Sequence, residues 1–334
     1  MKTLILSHKH HLAPLAWRLS REGEQVELIT CKKRYQGAWA GRLPQAIPPG
    51  QPIYPEHPDL KPWVEAASRG EIRIITDYMA ALSAFGDSTH LFYTLKTANP
   101  SRENYSVVLG AWWTGEEWLL PHWYIPEWGL FPGGLGAEVI AGGTVLRGSS
   151  YPLDTLAPLE SALQQVNFKG LVGAGLRWVE ATGKLEPTGM FTAGWSEWLH
   201  WELALGELPS LTTLLGGDPQ PTDLAPFTVG VVLSQPPWPI VGTPAPPSVP
   251  LELNPEVTRR VFFHDIKVEA GQVMTAGSDG LVGVARGTGR SLARARQVAL
   301  TVAGLVNFPE RQLRMDVGLG VDQAVVALEG LGYW

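Results

Sequence analysis

VFFHDIKVEAGQVMTAGSDGLVGVARGTGRSLARARQVALTVAGLVNFPERQLRMDVG, residues 261–318, carries the clearest structural signals of the chain. It opens with alternating apolar positions and passes two Gly-containing turns. From Ser291 to Val306 the apolar residues are Leu292, Ala295, Val298, Ala299, Val302 and Leu305. That three-and-four spacing belongs to a helix with one buried face. Ser291 stands where an N-cap hydroxyl would accept an orphan backbone N–H. The stretch therefore predicts strands, a hairpin, a helix and a short closing strand at its end.

Upstream, Thr3–Ser7 and Val26–Thr30 read as buried strands, with helical spacing over Leu12–Leu19 and a stop at Arg21-Glu22-Gly23. This is the β-α-β opening of a doubly wound sheet, whose first turn cradles phosphate in many proteins. That turn here is Ser7-His8-Lys9-His10-His11. Three readings stay open for it: a solvated loop, a cationic clamp on an anion, or imidazoles holding a metal. Residues 41–62 are Pro-rich and read as an irregular connection. Further on, Tyr105–Ala111 and Glu117–Leu120 predict a hairpin, and helices are expected at 153–166 and 198–205. Strands are expected at 170–179 and 228–233.

The chain has 334 residues, 45% hydrophobic and 17% charged, which fits a folded protein rather than an extended disordered one. Its net charge of −6 argues against general attraction to nucleic acid. No apolar run reaches the ~18–20 residues that cross a bilayer. The single cysteine, Cys31, excludes an internal disulfide framework, and a cytoplasmic setting is the expectation. Fourteen tryptophans stand out. Trp112, Trp113, Trp118, Trp123 and Trp128 crowd one region with Tyr124 and Phe131. They read either as core, as a stacking platform, or as a Trp-rich surface for a protein partner or self-association.

In order along the chain, Phe263-His264, Leu281–Ala285, Leu292–Arg296 and Arg314-Met315-Asp316-Val317-Gly318 resemble the C-terminal domain of phosphoribosylamine–glycine ligase, also called glycinamide ribonucleotide synthetase, an ATP-grasp family. Leu15-Ala16-Trp17-Arg18-Leu19 and Gly133-Gly134-Leu135-Gly136-Ala137 resemble further segments of it. The resemblance implies an α/β protein in three parts. These are a doubly wound pre-ATP-grasp domain at 1–80, a reduced ATP-grasp-like α+β core at 90–225 lacking most of the small ATP lobe, and a C-terminal α+β domain at 226–334.

The resemblance also implies roles. Lys96 and the glycines Gly133, Gly134 and Gly136 stand where ATP phosphates would bind. Glu186 stands where a carboxylate would hold Mg²⁺. His10, His11, His264, Arg286, Arg314 and Asp316 are candidates for binding a nucleotide-like or sugar-phosphate amine. For Arg314 and Asp316, a structural ion pair joining two segments is the competing account. Several family features are replaced: the first turn has lost its glycines, and Phe131-Pro132 stands for a polar Asn-Thr. Two readings follow. One is a divergent ATP- and Mg²⁺-dependent carboxylate–amine ligase. The other is a non-catalytic descendant that binds a nucleotide or sugar phosphate, or serves as an interaction protein.

Overall fold

A computed structural model describes residues 2–7, 11–30, 66, 69, 72–76, 107–148, 150–165, 168–179, 182, 184–191, 198–217, 223–240, 244, 246–254 and 256–334. Three strands, β1 (Lys2–Ser7), β2 (Gln25–Thr30) and β3 (Ile72–Thr76), form a parallel sheet in the order β2-β1-β3. The helix Ala13–Arg21 joins the first two strands and buries Ala13, Leu15, Ala16 and Leu19. The Pro-rich connection lies outside the described residues.

Most of the remaining chain is one antiparallel sheet. Its strands are β4 (Val107–Trp113), β5 (Trp118–Trp128), β6 (Ile140–Leu146), β7 (Gly170–Val179), β8 (Lys184–Phe191), β9 (Phe227–Ser234), β11 (Val261–Phe263) and β14 (Leu281–Gly289). The order is β11-β14-β9-β6-β5-β4-β7-β8. Two shorter strand pairs complete the strand set. β10 (Glu252–Leu253) pairs with β15 (Val306–Asn307), and β12 (Ile266–Glu269) pairs with β13 (Gln272–Thr275) in a hairpin. The architecture is mixed α/β with a large antiparallel sheet.

Period-two alternation sorts the sheet's side chains onto two covered faces. On β9, Val229 and Val231 pack with Ala295 and Ala299 of the helix Leu292–Gly304. On the opposite face of β9, a Cβ at Gly230 would sit 2.6 Å from Leu203 of the helix Trp198–Leu205. The same alternation runs through β4: Val108 and Trp112 face one core, while Val107, Leu109, Ala111 and Trp113 face the other. Trp112, Trp113 and Trp123 are all buried, so this part of the tryptophan cluster is core and not surface.

The helix Trp198–Leu205 is buried on every side from Leu199 to Leu205. Its last carbonyls therefore cannot be hydrated, and each unpaired one would carry a desolvation cost. Two arginines supply the donors. Arg147 donates to the Leu203 and Ala204 carbonyls at 3.2 and 2.7 Å. Arg18 donates to Leu205 and Gly206 at 3.0 and 3.1 Å, and also to Leu208. Arg18 pairs with Glu22 at 3.0 Å. Glu22 in turn accepts from the backbone N–H groups of Leu211 and Thr212 and from the Ser210 hydroxyl, at the start of the next helix, Leu211–Gly216. One ion pair thus grips the end of one helix and the beginning of another.

Several expectations change in detail. The predicted helix 153–166 is two 3₁₀ turns followed by the short helix Glu160–Gln165, because Pro152 and Pro158 interrupt the hydrogen-bond ladder. The short closing strand forms directly after the helix as β15, and residues 315–320 beyond it are a turn region tied down by side chains. The helix after Ser291 forms as read, with the Ser291 hydroxyl accepting from Arg294 N–H.

Two sets of substitutions test this packing. Arg18→Ala orphans three carbonyls and strands Glu22, so chemical denaturation is expected to register a loss of about 2–4 kcal/mol; a loss below about 0.5 kcal/mol would contradict the clamp. At Gly287 a Cβ would lie 2.1 Å from Ala299 N and 2.3 Å from Ala295 O, both backbone atoms. Gly287→Ala should cost about 3 kcal/mol or more. Gly304→Ala, where a Cβ meets nothing within 4 Å, should leave the same helix as stable or slightly more so.

Candidate functional site

The first turn of the helix Trp198–Leu205 collects residues from distant parts of the chain. His11, at the end of the β1 loop, lies with its ring 5.7 Å from Trp198 and 6.3 Å from His264. Trp198 and His264 meet edge to face at 4.9 Å. One turn further along the helix, Glu202 Oε1 is 2.8 Å from His264 Nε2, both side chains fully buried. Trp198 and Glu202 share a helix face because they are four residues apart. Burial holds the Glu202 carboxyl well above its ordinary range, and the Arg286 charge opposes that shift more weakly.

The position of His264 is fixed locally. Its N–H bonds the Val282 carbonyl at 3.0 Å. The next residue, Asp265, accepts from the N–H groups of Ser278, Asp279 and Gly280 at 2.8, 3.1 and 3.2 Å. This carboxylate closes the turn between β13 and β14, and so sets the backbone on either side of the histidine.

A second buried pair sits on the same helix. His200 Nε2 and His122 Nε2 are 2.7 Å apart. His122 Nδ1 lies 2.8 Å from the Leu120 carbonyl, which only accepts, so Nδ1 carries the proton. Burial lowers His122 to about 3 and His200 well below its ordinary value, so both rings are neutral. It follows that His200 Nε2–H donates to the bare His122 Nε2. Tyr124 stacks on His200 at 4.3 Å. Gly110 makes room: a Cβ there would lie 2.5 Å from His122 Nε2 and 2.8 Å from His200 Nε2. Leu120 holds its carbonyl in place with a left-handed φ of 52° beside a register shift in the β4–β5 pair.

The glycine loop lies elsewhere. Gly129, Gly133, Gly134 and Gly136 all have positive φ. The Gly133 N–H donates to Asp316 Oδ2 at 2.7 Å, and Arg314 Nε donates to Asp316 Oδ1 at 2.8 Å. Arg314 also reaches the Trp128 carbonyl. Arg296 donates to the carbonyls of Val317 and Met315 at 2.8 and 2.9 Å. The structure thus unites two sets of residues that the sequence assigned to different ligands. It uses Asp316 as an internal anion for the loop.

Other candidates are scattered. Glu186 stands exposed on β8, at the far edge of the sheet, accepting from Thr182 Oγ1 at 3.0 Å. Among the described residues, no group of three or more His, Cys, Asp or Glu side chains is arranged to hold a metal ion. His10 and Lys96 lie outside the described residues. Arg286 sits near the other end of the helix Trp198–Leu205. His122, His200, Glu202, Trp198 and Glu127 were missed by sequence reasoning. A signal existed for two of them: His200 and Glu202 interrupt the otherwise apolar WLHWELAL.

Glu127 is a buried carboxyl beside the loop, accepting from Gly318 N–H at 2.7 Å. Burial raises it to about 7, against smaller opposing effects from that hydrogen bond and from Arg314. A carboxyl with a folded pKa above its unfolded value binds its proton more tightly when folded. Its contribution is complete below the unfolded value and is lost as pH rises through about 7, a difference of about 3 kcal/mol. Glu127→Gln should therefore flatten the fall in stability between pH 5 and 8. The check is denaturant unfolding of both proteins across that range; parallel curves would show that Glu127 does not titrate there.

Three solved structures share this fold. Phosphoribosylamine–glycine ligase from Thermotoga maritima superimposes with a TM-score of 0.60 at 14% identity, covering 95% of this chain and 100% of its own. Urea carboxylase from Kluyveromyces lactis gives 0.51 at 12%, over 91% of this chain and 30% of the other. The biotin carboxylase domain of a single-chain bacterial carboxylase gives 0.50 at 10%, over 94% and 91%. No protein-family model matches the sequence, and no curated protein matches it. The likeness is one of fold.

Proposed function

We propose that this protein is a divergent, glycinamide-ribonucleotide-synthetase-like protein that binds a nucleotide-like or sugar-phosphate amine at the junction of His11, Trp198 and His264. The supporting observation is that junction itself. Two histidines from opposite ends of the chain converge on one indole ring. Imidazoles offer hydrogen bonds to hydroxyl and phosphate oxygens, and an indole offers a flat apolar face to a sugar or base.

The fold implies ATP and Mg²⁺, but the described residues do not fit that pair. Glu186 is exposed and engaged with Thr182, no metal-holding cluster accompanies it among the described residues, and the Gly133 N–H is given to Asp316. No chemical step through ATP follows from these groups. Binding without ligation is therefore the reading favoured here. ATP-dependent carboxylate–amine ligation is the second reading. It is favoured by the retained positive-φ glycines at 133, 134 and 136, whose bare backbone permits close approach by a phosphate.

Calorimetric titration separates the two. The full chain is expected to give saturable heat with ribose 5-phosphate, weakened at least about tenfold by His11→Ala, and no heat with MgATP. Saturable MgATP binding would transfer the case to ligation. Silence with both ligands would sink both readings.

A further inference from the structure

We propose that Arg286 anchors an oxyanion-binding subsite at the Gly206 turn, fitted to a phosphate group. Alternation along β14 places Gly287 against the helix Leu292–Gly304 and Arg286 on the opposite face, under the carbonyl end of the helix Trp198–Leu205. The guanidinium lies 5.3 Å over the Phe262 ring. A Cβ at position 206 would sit 2.3 Å from Arg286 Nη1, so glycine is what lets the guanidinium reach this turn.

Two neighbouring arginines are already engaged. Arg18 and Arg147 donate to the helix-end carbonyls, which also shields those carbonyls from an incoming anion. Arg286 differs. Its Nη1 is buried and has no hydrogen-bond partner among the described residues. A guanidinium has five donors, and leaving a buried one unmatched is costly unless an acceptor arrives. Burial lowers Arg286 to about 10, and the charges of Arg18, Arg147 and Arg260 push the same way against Glu207. Glu207 forms no ion pair with Arg286 within 4.0 Å among the described residues.

The choice of phosphate follows from the charge. Several guanidinium groups converge here, and the carboxyls nearby, Glu202 and Glu207, leave Nη1 unmatched. A dianion with three acceptor oxygens answers that surplus better than another carboxylate, and guanidinium is the side chain best shaped to grip it. Arg260, exposed at the end of the turn Thr258–Arg260, adds its charge to the same field. The subsite rests on the Arg286 geometry alone. Only the identity of the phosphate's carrier rests on the ligand proposed above.

The test is thermal unfolding of the full chain in increasing inorganic phosphate, with chloride at matched ionic strength as reference. Phosphate is expected to raise the midpoint saturably. Arg286→Met should raise the midpoint in phosphate-free buffer, by removing an unmatched buried charge, and weaken the apparent phosphate affinity at least about tenfold. Arg259→Ala, at an exposed neighbour, should leave the phosphate response intact. An equal phosphate response in Arg286→Met would overturn the subsite, as would a lowered midpoint with no change in that response. Should the methionine variant not fold, Arg286→Lys decides: a weakened response supports the subsite and an unchanged one overturns it. A response that depends on Arg286, with ribose 5-phosphate no tighter than phosphate, supports the subsite while counting against the sugar-phosphate reading.

Discussion

The carbonyl end of the helix Trp198–Leu205 has to find its hydrogen-bond donors inside the protein. A helix buried on all sides cannot leave its last turn to water, and no residue of its own sequence can reach those oxygens. Arg18 arrives from the N-terminal sheet's helix and Arg147 from the strand end after β6. The parallel sheet and the antiparallel sheet are therefore joined by polar necessity as well as by apolar packing. The apolar cluster around this helix runs without a break from Ile5 to Phe308.

Fixing that helix distributes its polar side chains. Trp198 and Glu202, one turn apart, turn toward His264 and the β1 loop, whereas His200 turns into the sheet against Tyr124 and His122. Burial favours the uncharged form in both environments. The histidine pair is held neutral in a fixed tautomer, while Glu202 is held toward its protonated form beside an imidazole. Only the second set opens toward a half-buried ring, His11, and this is why the ligand reading centres there.

Much of the fold was legible because local signals agreed with the tertiary outcome. Gly170–Val179 and Trp198–Leu205 formed at the bounds their patterns announced, and Ser291 capped its helix. The 314–318 segment gave no local sign of its role, because its place is set by Arg314 and Asp316 bonding to a loop far away in sequence and by Arg296 holding its carbonyls. The site was legible only in part. His11 and His264 were named separately, but nothing in a linear pattern could bring them together on Trp198. Glu127 and His122 gave no local sign, since their shifts come from burial, which is a property of the folded whole.

One feature of the sheet bears on how the chain can be divided. β9 is hydrogen-bonded on one side to β6 and on the other to β14, so residues on both sides of position 226 share one continuous ladder. A fragment cut there would bare two long, flat, apolar strand edges, the kind that pair with one another in the wrong register or recruit further copies into aggregates. The two halves are thus covalent neighbours that behave as a single cooperative unit.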